Sequence, residues 1–392
     1  MPIAAPIFWI CLSLVAYTYV LYPALLFFLS PFIQAWRDWQ YLVSRRERRR
    51  RAPVAEELPA VSLIIPAYNE QAGLLSKIQN LRQLDYPAEK IQVIFVSDGS
   101  TDETNDILRA AKGPGIDTIF LPSRGGKSNA LNQGVASARH DILVFSDAAT
   151  LFAPDALRQL VRHFSDRTVG VVCGALQFVG GSPESQQTEG VYWRYESMLR
   201  LMEARLGATL TASGAIYAIR RACYPALAPD VMIEDFVIPM NARKFGYRVL
   251  YDPEALATDF AAPSVSGEFT RRVRVAVGSF RALRQLSWTL VDPVTAFAFF
   301  SHKVLRWILP FLLIGLLASS GALWAYEPYR TIFLAQVLFY LWGALGFLLR
   351  HRLQRARYAL IAYYLLAIHM AFLVGFVRCV TGRHEGVWHQ TS

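Results

Sequence analysis

Hydrophobic positions along this chain fall into two regimes. In the first, from Val61 onward, short apolar runs alternate with longer segments of mixed character. VSLIIP precedes a helical stretch near 71–83, IQVIFVSD one near 102–112, DTIFL one near 127–138 and DILVFSD one near 154–164, with VGVVCG following. Short buried runs alternating with helix-length segments predict βαβ units and a mostly parallel sheet. Further on come a helical segment over Glu184 to Leu206, a strand over Ala215 to Arg220, a helix after Glu234 and the run YRVLYDP.

The second regime is long and unbroken. Ile7 to Ser30 is almost uncharged, and Val304 to Trp324, Thr331 to Leu349 and Tyr358 to Val380 repeat the pattern. Each is long enough to cross a hydrocarbon core of about 30 Å. No charge precedes the first, and RRERRRR (Arg45 to Arg51) follows it, which predicts an uncleaved anchor rather than a signal peptide. The joint AYEPYR is nearly neutral, whereas RHRLQRAR between the last two spans is strongly basic. Basic segments mark the cytoplasm. The start of the chain is then external, the block from about 52 to 302 cytosolic, and the tail external.

Between the two regimes, GEFTRRVRVAVGSFRALRQL mixes arginines and apolar residues at helical spacing, as a helix lying in the membrane interface does. The predicted organisation is an anchor and basic linker over 1–52, an α/β domain over 53–265 and amphipathic interfacial helices over 266–302. Three spans over 303–380 and a short tail over 381–392 complete it. Composition agrees: of 392 residues 54% are hydrophobic, and the mean hydropathy is +0.27. Much of the net charge of +10 is juxtamembrane arginine suited to anionic lipid headgroups, and no nucleic-acid module is present, so nucleic acid is not an expected partner. Cysteines at 11, 173, 223 and 379 form no C-x-x-C pair, so neither a disulfide nor a zinc site is expected.

The candidate chemistry is acidic. Asp98 in VSDGSTDET and Asp147 in FSDAAT each close an apolar run, which places both at carboxyl ends of strands. In an open α/β sheet ligands bind there. Asp98 alone would pass as turn chemistry, because Asp-Gly favours turns. Asp147 is followed by Ala148 and Ala149, and a buried carboxylate there must be hydrated, paired or metal-bound. Glu234 and Asp235 open a helix, where capping accounts for one acid but not two. GGKSNA lacks the earlier glycine of a phosphate-binding P-loop, with Leu121 in its place, yet its glycines open a helix whose first turn carries Lys127. Arg271, Arg272 and Arg274 either face lipid or clamp a diphosphate.

The order VSLIIPAYNE, VSDGSTDET, RGGKSNALNQG, FSDAAT, SGAIYAIRR, IEDF and RRVRV resembles membrane-embedded family 2 glycosyltransferases, in the branch that includes poly-N-acetylglucosamine, hyaluronan and cellulose synthases. The resemblance runs from about residue 5 to 390. It implies a GT-A, Rossmann-like α/β domain in the cytosol, joined to transmembrane α-helices. It gives Pro66, Ala67, Tyr68 and Glu70 to a nucleotide pocket, with Asp98 accepting from the uracil imide and Lys127 beside the nucleotide. It makes Asp147 the first acid of D-x-D, bridging the diphosphate and Mg²⁺ or Mn²⁺, with Arg271 and Arg274 at the diphosphate. Asp235 matches the general base, while Ser213, Gly214 and Glu234 fall on the acceptor side.

Two departures stand out. Ala149 replaces the second D-x-D acid, and RRVRV replaces Q-x-x-R-W, with Tyr192 and Trp193 as candidate replacement aromatics. The implied activity is inverting transfer from a nucleotide sugar, UDP-linked, to a glycan at the bacterial inner membrane, giving β-linked extracellular polysaccharide with export or assembly subunits as partners. Two other readings compete. One is transfer of a single sugar to a polyprenyl phosphate or other lipid, and the other is a non-catalytic nucleotide- or polysaccharide-binding assembly subunit.

Overall fold

The apolar opening of the chain folds as one long helix in the computed structural model. It comprises α1 (Ala4–Ala16) and α2 (Tyr22–Ser44), joined by a π-helical turn at Tyr17–Leu21. The structure describes residues 3–44, 58–179, 183–260, 265–283, 292–349 and 357–382. The arginine run at 45–51, most of the basic joint at 350–357 and the side chains of Tyr192 and Trp193 lie outside the described residues.

β1 (Val61–Ala67), β2 (Ile91–Asp98), β3 (Ile116–Leu121) and β4 (Ile142–Phe145) alternate with α3 (Gln71–Arg82), α4 (Thr104–Ala111) and α5 (Lys127–Ser137). Every residue of β1 and of β4 is buried. Parallel strands covered on both faces require this, and it is why they read as unbroken apolar runs. Val61 pairs with Ile91 on one side and Ile142 on the other. Side-chain alternation then divides the core into two layers. Leu63 and Ile65 pack with Leu74 and Ile78 of α3 and Leu108 of α4, while Ile64 and Ile94 pack with Leu131 of α5. Each such side chain contributes about 1.5–3 kcal/mol on burial, so a one-residue slip of β1 would forfeit both layers together.

β5 (Leu151–Phe152), α6 (Ala156–Val161), β6 (Val169–Val179), α7 (Pro183–Leu206), β7 (Tyr217–Arg220), α8 (Glu234–Lys244) and β8 (Arg248–Phe260) follow. The sheet order is β3-β2-β1-β4-β7-β6-β8-β5. The expectation of a mostly parallel sheet holds for its first four strands. β7, however, runs antiparallel to both β4 and β6, and β5 antiparallel to β8, so the sheet is mixed. A bridge between Ser213 and Ile216 turns the chain into β7.

The remaining helices are α9 (Val265–Leu283), α10 (Pro293–Ala298), α11 (Leu305–Ala322), α12 (Glu327–Leu349) and α13 (Arg357–Thr381). Asp292 starts α10 by accepting from the Thr295 amide at 2.8 Å, with Pro293 in the first turn. A π-helical turn, Phe299–Val304, carries α10 straight into α11, so no break falls at 302–303. Among the described residues four helical stretches are long and apolar enough to cross a membrane: Ala4–Gln40, Pro293–Ala322, Glu327–Leu349 and Ala359–Thr381. A shared apolar cluster joins the second and fourth of them to the α/β domain. Phe236 and Met240 of α8, Val277 and Phe280 of α9, Phe299, Trp307 of α11 and Phe372 of α13 belong to it.

Candidate active site

Parallel register brings three chain segments to one sheet edge. Ala67 pairs with Ser97 and Ile64 with Phe145, so Tyr68–Glu70, Asp98–Gly99 and Ser146–Asp147 leave the sheet side by side. The first two are stitched together. Asn69 adopts φ 54°, which asparagine tolerates, and its Oδ1 accepts from the Thr101 amide at 2.8 Å. The Glu70 amide donates to Thr104 Oγ1 at 2.8 Å. Gly99 has φ +67°, and a Cβ there would lie 2.6 Å from the Arg124 nitrogen.

Asp98 is buried, and its two oxygens accept from the Gly125 and Gly126 amides, each at 2.7 Å. A carboxylate at a helix N-terminus opposes the positive end of the dipole, so Asp98 anchors α5 and thereby Lys127. The guanidinium of Arg124 lies 3.9 Å from the centre of the Tyr68 ring.

Lys127 is the junction of the site. Its ammonium donates to Asp147 Oδ1 and pairs with Glu234 Oε1, both at 2.7 Å. Burial alone would discharge it, but the two carboxylates outweigh burial and hold its pKa above the ordinary lysine value. Asp147 is the mirror case: burial pushes its pKa up, and Lys127 overrides that and brings it down. Among the described residues Asp235 has no cation so close. Burial, then the neighbouring Glu234, raise its pKa to about 6.

A cavity of about 270 Å³ is lined by Lys127, Asp147, Ser213, Gly214, Glu234, Asp235, Arg271 and Arg274 among others. Asp147 leaves the sheet after β4 and Asp235 sits at the start of α8, so distant segments do converge. The Asp235 carbonyl accepts from the Ala212 amide at 2.8 Å, which fixes the Ser213–Gly214 wall against α8. A Cβ on Gly214 would face Lys127 Nζ at 3.4 Å and Glu234 Oε1 at 3.5 Å, so any bulky residue would intrude on the site. Pro66, Ala67, Tyr68, Glu70 and Asp98 do not line this cavity; they stand at the edge of β1 and β2 beside it.

Three contributors escape sequence reading. Lys77 is fully buried in α3, where its ammonium donates to Ser146 Oγ at 2.7 Å and to the Thr150 carbonyl. It therefore holds both ends of the turn that presents Asp147 and Ala149. Burial lowers its pKa to about 7. Asp259, at the end of β8, lines the cavity with Asp147. Trp307 of α11 lines it too, placing an aromatic there from a span rather than from the RRVRV segment. Only Lys77 left a signal, as a charge on the Leu74–Ile78–Leu81 face of α3.

Residues 62–224 match the model of the family Glycosyl transferase family 2. The chain is 27% identical over 235 residues to poly-beta-1,6-N-acetyl-D-glucosamine synthase of Staphylococcus aureus (strain COL), across 58% of this chain and 56% of that protein. It is 23% identical over 248 residues to the synthase of the same name from Staphylococcus epidermidis, across 60% and 58% respectively. The chain thus spans a little over half the length of the curated relatives it matches. Among solved structures it is similar to the mannosyltransferase PcManGT from Pyrobaculum calidifontis in complex with GDP-Man and Mn²⁺, with a TM-score of 0.65 and 22% identity. That likeness covers 96% of this chain and 100% of the other, and it shows the fold, a GT-A type mixed sheet.

Proposed function

We propose that this chain, which carries a family 2 glycosyl transferase domain over residues 62–224, is an inverting membrane glycosyltransferase. It transfers a sugar from a nucleotide sugar, UDP-linked, to a glycan hydroxyl and so builds a β-linked polysaccharide. The observation that carries this reading is the shared cavity of Asp147, Lys127 and Asp235. The catalytic domain faces the cytosol of a bacterial inner membrane, the side on which nucleotide sugars are made.

Asp235 takes the proton of the acceptor hydroxyl, and a pKa near 6 keeps it ionised yet basic at neutral pH. The hydroxyl oxygen attacks the anomeric carbon from the face opposite the leaving diphosphate, which inverts the centre. Lys127, Arg271 and Arg274 meet the charge that develops on the diphosphate, often the largest catalytic contribution. A divalent cation fits the local group of carboxylates around Asp147. Glu70 is raised to about 7 by burial and by the negative charges of Asp147, Asp259 and Asp102. A Mg²⁺ or Mn²⁺ ion held by Asp147 would relieve that repulsion and supply electrostatic stabilisation. Among the described residues no group of three or more acidic, histidine or cysteine side chains is close enough to hold a metal. The ligand shell would therefore need diphosphate oxygens and water.

Purified protein given a panel of nucleotide sugars with Mg²⁺ or Mn²⁺ is expected to release nucleoside diphosphate from one of them, faster with acceptor present. No release from any donor would overturn the reading in favour of a binding subunit.

A further inference from the structure

Tyr217 of β7 is 1% exposed, and its hydroxyl is buried without a hydrogen-bond partner among the described residues. The ring itself is firmly held. It stacks on Phe145 of β4 with 4.7 Å between centroids, and its backbone pairs with Phe145 on one side and Cys173 on the other. Tyr224 stacks on the same Phe145 at 5.8 Å, yet its hydroxyl donates to Asn132 Oδ1 at 2.9 Å. Buried hydroxyls are normally paired in this way, so the one on Tyr217 calls for a reason.

Its position supplies one. Tyr217 follows closely on Gly214, which abuts Lys127 Nζ and Glu234 Oε1. Its side chain shares an apolar cluster with Ala212 and with Ile238 and Ala242 of α8, the helix whose first turn carries Glu234 and Asp235. Tyr217 does not line the cavity, so it meets this acid pair from the core, out of reach of substrate. Burial, then Glu234 ahead of Tyr224, Asp235 and Asp147, raise its pKa well above the ordinary tyrosine value, and it stays a proton donor. Lys127 already answers Asp147 and Glu234, each at 2.7 Å. In the proposed transfer its third proton goes to the diphosphate, and one ammonium then serves three anionic groups. Arg200, Arg274 and Lys303 face the pair as well, but from the cavity, where the diphosphate competes for them. Glu234, itself buried, then needs a donor that no phosphate can draw away.

We infer that Tyr217 is a positioning residue, whose hydroxyl donates to Glu234 once the diphosphate draws on Lys127 and so holds the first turn of α8, with Asp235, in place for proton transfer. This role rests on the transferase reading and deepens it with a further residue of the same site. Without the hydroxyl, Glu234 must take up a proton or swing toward the cavity cations, and either change disturbs the setting of Asp235.

Tyr217→Phe removes the hydroxyl alone and keeps the stack on Phe145. The full chain in phosphatidylcholine nanodiscs is assayed with the donor that the panel of nucleotide sugars selects. We expect kcat to fall about tenfold, KM for the donor to stay within about twofold and the melting temperature not to fall. Unchanged kcat, with or without a lower melting temperature, overturns the inference. Calorimetry of UDP and of GDP binding with Mg²⁺, in two buffers of different ionisation heat, gives a second readout that needs no turnover. Tyr217→Phe is expected to take up more protons on binding than wild type, because a proton must then neutralise Glu234. Adding Glu234→Gln to that variant is expected to remove the excess. Equal uptake in Tyr217→Phe and wild type, or an excess that survives Glu234→Gln, overturns the inference. Wild-type binding and turnover beside an unaltered Tyr217→Phe variant sink this inference alone, whereas wild-type protein that binds neither nucleotide sinks the transferase reading with it.

Discussion

Lys127 lies 2.7 Å from the carboxylates of Asp147 and Glu234, and Asp235 lies next to Glu234 in sequence yet has no cation so close among the described residues. That asymmetry separates their tasks. Asp147 is held ionised at all working pH values, while Asp235 titrates near 6. Its folded pKa is raised, so its basic form is lost as pH falls through that value. We expect turnover to be flat at pH 7–8 and to drop below about 6, with Asp235→Asn lowering kcat by about 10²–10⁴-fold while donor binding persists. Donor binding would be read by calorimetry, and unchanged turnover in Asp235→Asn would remove the residue from the base role. Lys77 supports the same site from beneath. Lys77→Met keeps the length but leaves the Thr150 carbonyl unpaired and takes from Ser146 Oγ its donor, a cost of about 1–3 kcal/mol. The expected result is a lower melting temperature together with weaker donor and metal affinity at nearly unchanged kcat. A melting shift with unaltered affinities would assign Lys77 to the core alone.

At the scale of elements, the arginines of the site depend on a helix contact remote from it. Gly375 of α13 lies against α9, where an added Cβ would meet Ala276 Cβ at 2.5 Å and the Val273 carbonyl at 3.1 Å. Val273 is the immediate neighbour of Arg274, so pushing α9 away moves the guanidinium proposed to meet the diphosphate. Gly375→Val is expected to reduce turnover more than tenfold and to lower the melting temperature, measured on detergent-solubilised protein; wild-type values in both would show the contact to be plastic. The sequence made the strands β1, β2 and β4 legible because both faces are buried and the apolar runs are continuous. It could not give the direction of β7, because YAIR carries no mark of orientation and only its pairing with Phe145 and Cys173 decides it. Asp98, Asp147 and Asp235 were legible as acids at element ends. Asp259 and Trp307 were not, because each ends or begins an element whose neighbours in space are far away in sequence. The hydrogen bonds of Asp98 to Gly125 and Gly126 were hidden for a similar reason, since the position of that loop depends on β3 and α5.

For the whole molecule, the α/β domain and the spans share one apolar cluster, and the candidate active site opens between them rather than inside either. Such a placement has meaning only if the domain lies on the donor's side of the bilayer. The proposal that it does rests on charge at the helix joints, with arginines on the domain side and the nearly neutral AYEPYR joint opposite. The four cysteines are all buried, so the native chain offers little thiol background for mapping. Tyr326, 44% exposed in the joint between α11 and α12, and Lys112, at the end of α4, are suitable reporters on opposite sides. In sealed spheroplasts a membrane-impermeant maleimide is expected to label Tyr326→Cys directly and Lys112→Cys only after permeabilisation. The reverse pattern would place the domain outside, away from nucleotide sugars. It would then remove the physical reason for a donor site at this rim, whatever the geometry of Asp147 and Asp235.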